Sequence, residues 1–185
     1  MPRIVWDCPG ERMIGQMQSA DSSQDLTVSL TAAAFTRDGI VALLNSVGFA
    51  VLATEHAGQP HTSLVAITPV DHWRRLVFAT YRNTRKFSNL SHNQRVSLLM
   101  DGRRQLAAGD TPGHGVLGAV GRVQEVDAAA QPVLLLAHLH RHPDLAVFMQ
   151  SPDCVLLEVV VEAYQVVHGI DDVSWWCVAD LNAAG

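Results

Sequence analysis

The sequence predicts a mainly β domain, an antiparallel β-barrel with flanking helices. Three observations carry this. Six or seven segments read as strands, most links between them are short, and helical spacing recurs in only three places.

Residues 1–30 collect Pro, Gly, Ser, Asp and Gln without a sustained period. They read as an N-terminal arm, extended or partly disordered, ahead of a single domain over 31–185. Ile40, Leu43, Leu44 and Val47 have helical spacing, and Gly48 is the stop. Phe49–Thr54 reads as a strand, His56–Pro60 as a turn and Thr62–Thr68 as the returning strand. Arg75–Thr80 is a third strand after the polar Asp71–Arg74 link. Thr84–His92, with Phe87 and Leu90 three apart, is a short helix, and Arg95–Met100 a fourth strand. Beyond the Asp101–Gly113 loop, Val116–Val126 alternates as a longer strand does. Ala128–His142 carries the last helical pattern and Pro143 ends it. Val155–Val161, Tyr164–Val167 and Ser174–Val178 are rich in β-formers.

Composition narrows the function. Thirteen bases against eighteen acids give a net charge of −5, which speaks against a partner held by phosphate contacts such as nucleic acid. The longest purely apolar runs, such as Val133–Ala137, are far too short to span a membrane. The start lacks a secretory pattern, and three scattered cysteines (Cys8, Cys154, Cys177) suit a reducing compartment better than a disulfide framework. A cytoplasmic protein is the expectation. The low charge and a mean hydropathy of +0.13 further suggest apolar surface covered by a second subunit.

Charge is also unevenly placed. Residues 142–185 hold seven acids and no Lys or Arg, while Arg82, Arg85, Lys86 and Arg95 fall close together. An anion site is therefore expected around Arg85. There a strand ends at Thr80 and a helix opens at Thr84. Two cations in a first helical turn are unfavourable beside the positive end of the helix dipole. A bound anion reverses that penalty, using free backbone N–H groups, two threonine hydroxyls and two cationic side chains. A solvated basic turn is the bland alternative.

Gly113-His-Gly115-Val-Leu-Gly118 matches the dinucleotide pattern G-x-G-x-x-G. That fingerprint requires a preceding strand and a following helix, whereas here a Pro-Gly loop precedes and a β-patterned run follows. It reads instead as a strand approached closely by another backbone or a flat ligand.

The run Phe78–Met100, with Thr80, Thr84-Arg85-Lys86, Asn93 and Arg95-Val-Ser-Leu-Leu, resembles the flavin-binding segment of the pyridoxamine 5′-phosphate oxidase-like split β-barrels. The similarity extends over roughly 36–178, through Leu52–Ser63 upstream and Gly118–Val123 and Arg141–Ala146 downstream. The resemblance implies an FMN-binding split β-barrel and a homodimer with the cofactor at its interface. It implies that Arg85 and Lys86 take the flavin phosphate with Thr80 and Thr84. It places Ala79 beside the phosphate or ribityl chain and Ser63, Leu64, Val65 and Ala66 beneath the ring, chiefly through backbone groups. Flavin would carry the redox chemistry on a small-molecule substrate, and no protein catalytic residue is assigned.

Two departures from the vitamin-forming oxidase matter. No Lys or Arg follows Arg141, where that enzyme clamps its substrate phosphate with a C-terminal Arg-x-His, and Thr68 stands at the position of its substrate-binding lysine. The C-terminal half, with His140-Arg-His-Pro-Asp-Leu-Ala and Tyr164–Ile170, is similar to the haem-utilisation branch of the superfamily. That similarity makes haem binding or breakdown the alternative function, and His168, His138 and His142 its candidate ligands. A deazaflavin cofactor and a non-catalytic flavin-binding protein are further alternatives.

His138 and His142 share one face of a helix, but no carboxylate or cysteine completes a metal set. The residue-level reading is a polar helix face, and for His168 a structural histidine. Asp171-Asp172 reads as a charged turn. Trp175 and Trp176 read as core or interface residues.

Overall fold

The computed structural model describes residues 37–102, 115–167 and 173–183. The proposed arm, His168 and the Asp171-Asp172 turn lie outside the described residues. Helix α1 (Arg37–Ser46) buries Ile40, Leu43 and Leu44, the stripe its spacing predicts. Strands β1 (Phe49–His56) and β2 (Gln59–Ala66) form a hairpin. Ala57 and Gly58 close it at φ of 53° and 79°, the left-handed pair that a two-residue turn matching strand twist requires.

The predicted strand 62–68 divides at Ile67. Its N–H turns to the Gly48 carbonyl (2.9 Å), and the chain continues as β3 (Thr68–Val70) on a new neighbour, β4 (Arg75–Tyr81). Helix α2 (Arg85–His92) and strands β5 (Arg95–Asp101) and β6 (Val116–Glu125) follow. Gly115–Gly118 thus leads into a strand, as the rejection of a dinucleotide site requires.

Helix α3 (Pro132–Arg141) begins later than the predicted Ala128. The Asp127 carboxylate accepts from the Ala129 and Ala130 N–H groups, holding a turn there, and Pro132 suits a first helical turn. A 3-10 turn (Pro143–Leu145) and α4 (Ala146–Met149) precede β7 (Cys154–Val167), β8 (Val173–Cys177) and α5 (Val178–Ala183).

The two predicted strands 155–161 and 164–167 are one strand, β7, bent by a bulge. Val120 faces Ala163 and Gly121 faces Val161, so Glu162 is the extra residue. Gly121 permits this approach, since a Cβ there would run into the Val160 carbonyl oxygen.

The sheet order is β2-β1-β5-β6-β7-β4-β3, with β8 on the free end of β7 and every pairing antiparallel. Its two outer strands, β2 and β3, are joined in the chain through Ile67 alone. The sheet must therefore curl until its edges meet, which makes it a split β-barrel. The interior is filled by Ile40, Leu44, Leu52, Ile67, Phe78, Met100 and Tyr164 among others. A smaller cluster, Val77, Val126, Leu134 and Leu156, lies beneath α3.

One sequence expectation changes. His138 and His142 are not on a polar surface: they are 0% and 9% exposed and turned into the protein. Cys154 is a free thiol. Trp176 packs on the core and Trp175 stays partly exposed. Among the described residues, no helix is long and apolar enough to cross a membrane.

Candidate functional site

The turn from β4 to α2 is built around Thr84. Its backbone is extended (φ −94°, ψ 152°), as an N-cap requires, and its hydroxyl accepts from Phe87 N–H at 3.4 Å. The same hydroxyl donates to the Tyr81 carbonyl at 2.8 Å. Its only proton is thereby committed, so buried Thr80, 3.2 Å away, is the donor between the two hydroxyls. Ser88 N–H closes on Thr84 O at 3.0 Å, leaving the N–H groups of Arg85 and Lys86 unclaimed by the helix.

The three cations here have different circumstances. Arg82 is paired in a two-pronged contact with Glu125 and lies over the Phe87 ring, 5.3 Å from its centre. Among the described residues, neither Arg85 nor Lys86 has an ion pair, and α2 has no acid in its first turn. Lys86 is half-buried, and that burial pushes its ammonium below its ordinary range. A half-buried ammonium beside two unclaimed N–H groups at a helix N-terminus has the charge and the donors that an anion would satisfy.

Ser63, Leu64, Val65 and Ala66 stand on β2, opposite Leu52, Val51, Ala50 and Phe49. Among the described residues β2 is an outer strand of the sheet, with no strand hydrogen-bonded on its far side. Val65 is buried, Leu64 is 66% exposed, and the buried Ser63 hydroxyl has no hydrogen-bond partner among the described residues. Ala79 is half-buried beside Thr80 on β4. The structure therefore joins Thr80, Thr84, Arg85 and Lys86 in one turn and puts Ser63–Ala66 on a separate strand.

A polar chain that the sequence reading missed links α2 to β1 and β2. Asn89 Nδ2 donates to Thr54 Oγ1 at 3.1 Å, and Thr54 Oγ1 donates to the His61 carbonyl at 3.3 Å. Asn89 and Thr54 are both buried. The signal in the sequence was Asn89 beside Leu90 on the inward side of α2.

The haem-ligand candidates are differently placed. His138 Nδ1 lies 2.9 Å from Thr68 Oγ1, and His142 Nε2 donates to the Ile67 carbonyl at 2.9 Å. Their rings are 5.0 Å apart, so they do share a helix face, but that face holds α3 to the β2–β3 junction. Arg141 assists from the same turn, donating to the Leu44, Asn45 and Val47 carbonyls at the end of α1. Among the described residues, no three His, Cys, Asp or Glu side chains gather as a metal site.

A family model described as pyridoxamine 5′-phosphate oxidase matches residues 36–168. No curated protein matches the chain in sequence. Solved structures share its fold. A haem-binding protein from Mycobacterium smegmatis has a TM-score of 0.66 at 16% identity, covering 78% of this chain; the chain spans only 59% of that protein's length. An FAD-binding protein from Mesorhizobium loti has a TM-score of 0.52 at 18% identity, covering 73% of this chain and 89% of the other. HutZ, the haem storage protein of Vibrio cholerae, has a TM-score of 0.54 at 18% identity, covering 68% and 94%. At such identities the likeness is one of fold, whereas the family model spans most of the chain and both β2 and the Thr80–Lys86 turn. The chain belongs to the pyridoxamine 5′-phosphate oxidase family.

Proposed function

We propose that this protein binds FMN and acts as a flavin-dependent oxidoreductase on a small molecule, as a homodimer with the cofactor at its interface. The observation that carries this reading is Lys86, half-buried and, among the described residues, without a counter-ion, beside Arg85 at the start of α2. A flavin phosphate supplies the missing charge. The outward edge of β2 and the orphaned Ser63 hydroxyl suit a flat ring with polar edges. Bound flavin supplies the redox chemistry, while the chain's residues bind and orient it.

The substrate is not expected to be pyridoxamine phosphate. Thr68, at the position where the resemblance puts a substrate-binding lysine, is 5% exposed and engaged with His138. No Lys or Arg follows Arg141 to hold a second phosphate.

Haem is the rival ligand, motivated by the haem proteins that share the fold. Among the described residues it has less support, because both histidine candidates already serve buried hydrogen bonds. The test is titration of the purified protein with FMN, riboflavin and haem, followed by optical spectra. FMN should bind at least tenfold more weakly to Arg85→Ala/Lys86→Ala, with riboflavin little affected. Equal losses for both ligands would sink the phosphate assignment. A Soret shift abolished by a single histidine substitution would favour haem. Tight flavin binding without turnover of any amine or quinone tested would indicate a flavin-binding protein with no catalytic role.

A further inference from the structure

We propose that His56 and His92 form a binding site for a divalent transition-metal ion of imidazole preference, at the end of α2 away from the Thr80–Lys86 turn. The two rings lie 4.1 Å apart between centres, tilted by 36°, and both residues are exposed. One closes β1 and the other ends α2, so two elements that need not meet present neutral-capable imidazoles side by side.

The tautomer of His92 favours metal over proton exchange with a neighbour. Its Nδ1 lies 2.8 Å from the Ser88 carbonyl, an acceptor only, so Nδ1 carries the hydrogen. In the neutral ring Nε2 then carries the lone pair. A ring N–H held by a backbone carbonyl is the usual support of a metal-binding histidine.

The frame under the pair is fixed. Asn93 Nδ2 donates to Glu55 Oε2 at 2.8 Å, and the other Glu55 oxygen accepts from Gly58 N–H in the hairpin turn. Asn89 ties the previous turn of α2 to Thr54 on β1. These contacts lock the C-terminal end of the helix to the strand that carries His56. The local field suits a cation: α2 ends here with its negative pole, and the Glu55 carboxyl group, tied to Gly58 N–H and Asn93 Nδ2, stands in the same frame.

Bonds of about 2.0–2.1 Å let one ion join two nitrogens up to about 4 Å apart, a span comparable to the 4.1 Å between these ring centres. No third His, Cys, Asp or Glu joins them among the described residues, so water completes the coordination. The ligand chemistry selects Cu2+, Ni2+ or Zn2+ over Mg2+ or Ca2+.

The test is calorimetric titration of the metal-free, full-length protein with Ni2+ and with Zn2+. One ion per chain is expected, weakened at least tenfold in His56→Asn and in His92→Asn. His140→Asn, on exposed α3 surface, should leave it unchanged, and Mg2+ should give no signal. Unchanged affinity in both site variants, or loss with His140→Asn instead, would overturn the proposal. A fold check by circular dichroism accompanies each variant. Because FMN titration of the same samples reads the Thr80–Lys86 turn separately, failure of the metal site and failure of the flavin reading are distinguishable.

Discussion

His138 and Thr68, seventy positions apart in the chain, meet inside the protein at 2.9 Å. The contact fastens α3 to the first residue of β3, immediately after Ile67 joins the two edges of the sheet. His138 is 0% exposed, and burial, with the nearby His142, pushes its pKa down to about 4.

That depression sets a pH dependence. The folded protein resists protonating His138, whereas the unfolded chain takes up a proton near pH 6.5, so between about 6.5 and 4 the unfolded state holds more protons. Stability contributed by neutral His138 is present above pH 6.5 and is lost as pH falls toward 4. Thermal melts across this window should show a falling Tm, with a shallower slope in His138→Gln. An unchanged slope would contradict the assignment.

Thr84 has two jobs, capping α2 and organising Thr80. Thr84→Ala should cost about 1 kcal/mol in denaturant unfolding, and Thr84→Ser should restore most of it. On the flavin reading, FMN affinity should follow the same order.

Glu158 is a carboxylate at 2% exposure, held by Arg75 Nη1 at 2.9 Å and Gln124 Nε2 at 2.6 Å. Arg75→Met strands this charge and should cost roughly 3–5 kcal/mol. Adding Glu158→Leu removes the stranded carboxylate, so the double variant should be more stable than Arg75→Met alone. Urea unfolding of the three proteins decides it.

Gly121→Ala and Gly58→Ala separate two reasons for glycine. At Gly121 the new methyl meets the Val160 backbone, so overpacking should cost on the order of 1–3 kcal/mol or more. Gly58 has open space but a φ of 79°, so its cost, about 1 kcal/mol, comes from the backbone alone. Chemical denaturation should rank Gly121→Ala as the worse of the two.

Leu64, Val51 and Leu99 lie in one row across β2, β1 and β5, since Val51 faces both others, and they are 66%, 39% and 48% exposed. If the protein dimerises through this row, sedimentation should give about twice the 20.1 kDa chain mass. Leu64→Asp/Leu99→Asp should yield monomers. A wild-type monomer that still binds FMN tightly would contradict an interfacial cofactor.

The elements legible in the sequence were those set by local rules. The helix stripe of Ile40, Leu43 and Leu44, the Ala57-Gly58 turn and the strand-to-cap passage from Thr80 to Thr84 depend on spacing, φ preference and hydrogen bonds within a few residues. The grouping of Thr80, Thr84, Arg85 and Lys86 was readable for the same reason: they occupy one turn. What the tertiary structure alone decided were matters of partner. A histidine near the end of α3 can face water or the interior, and the arrival of Ile67 and Thr68 decided it for two: the Thr68 hydroxyl meets His138 Nδ1, and the Ile67 carbonyl accepts from His142 Nε2. The division of the predicted 62–68 strand likewise depended on Gly48 taking the Ile67 N–H, and the union of 155–161 with 164–167 on Gly121 admitting a bulge. Local sequence fixes which groups a segment carries, but satisfaction of buried groups depends on residues far along the chain, and only the fold brings those together.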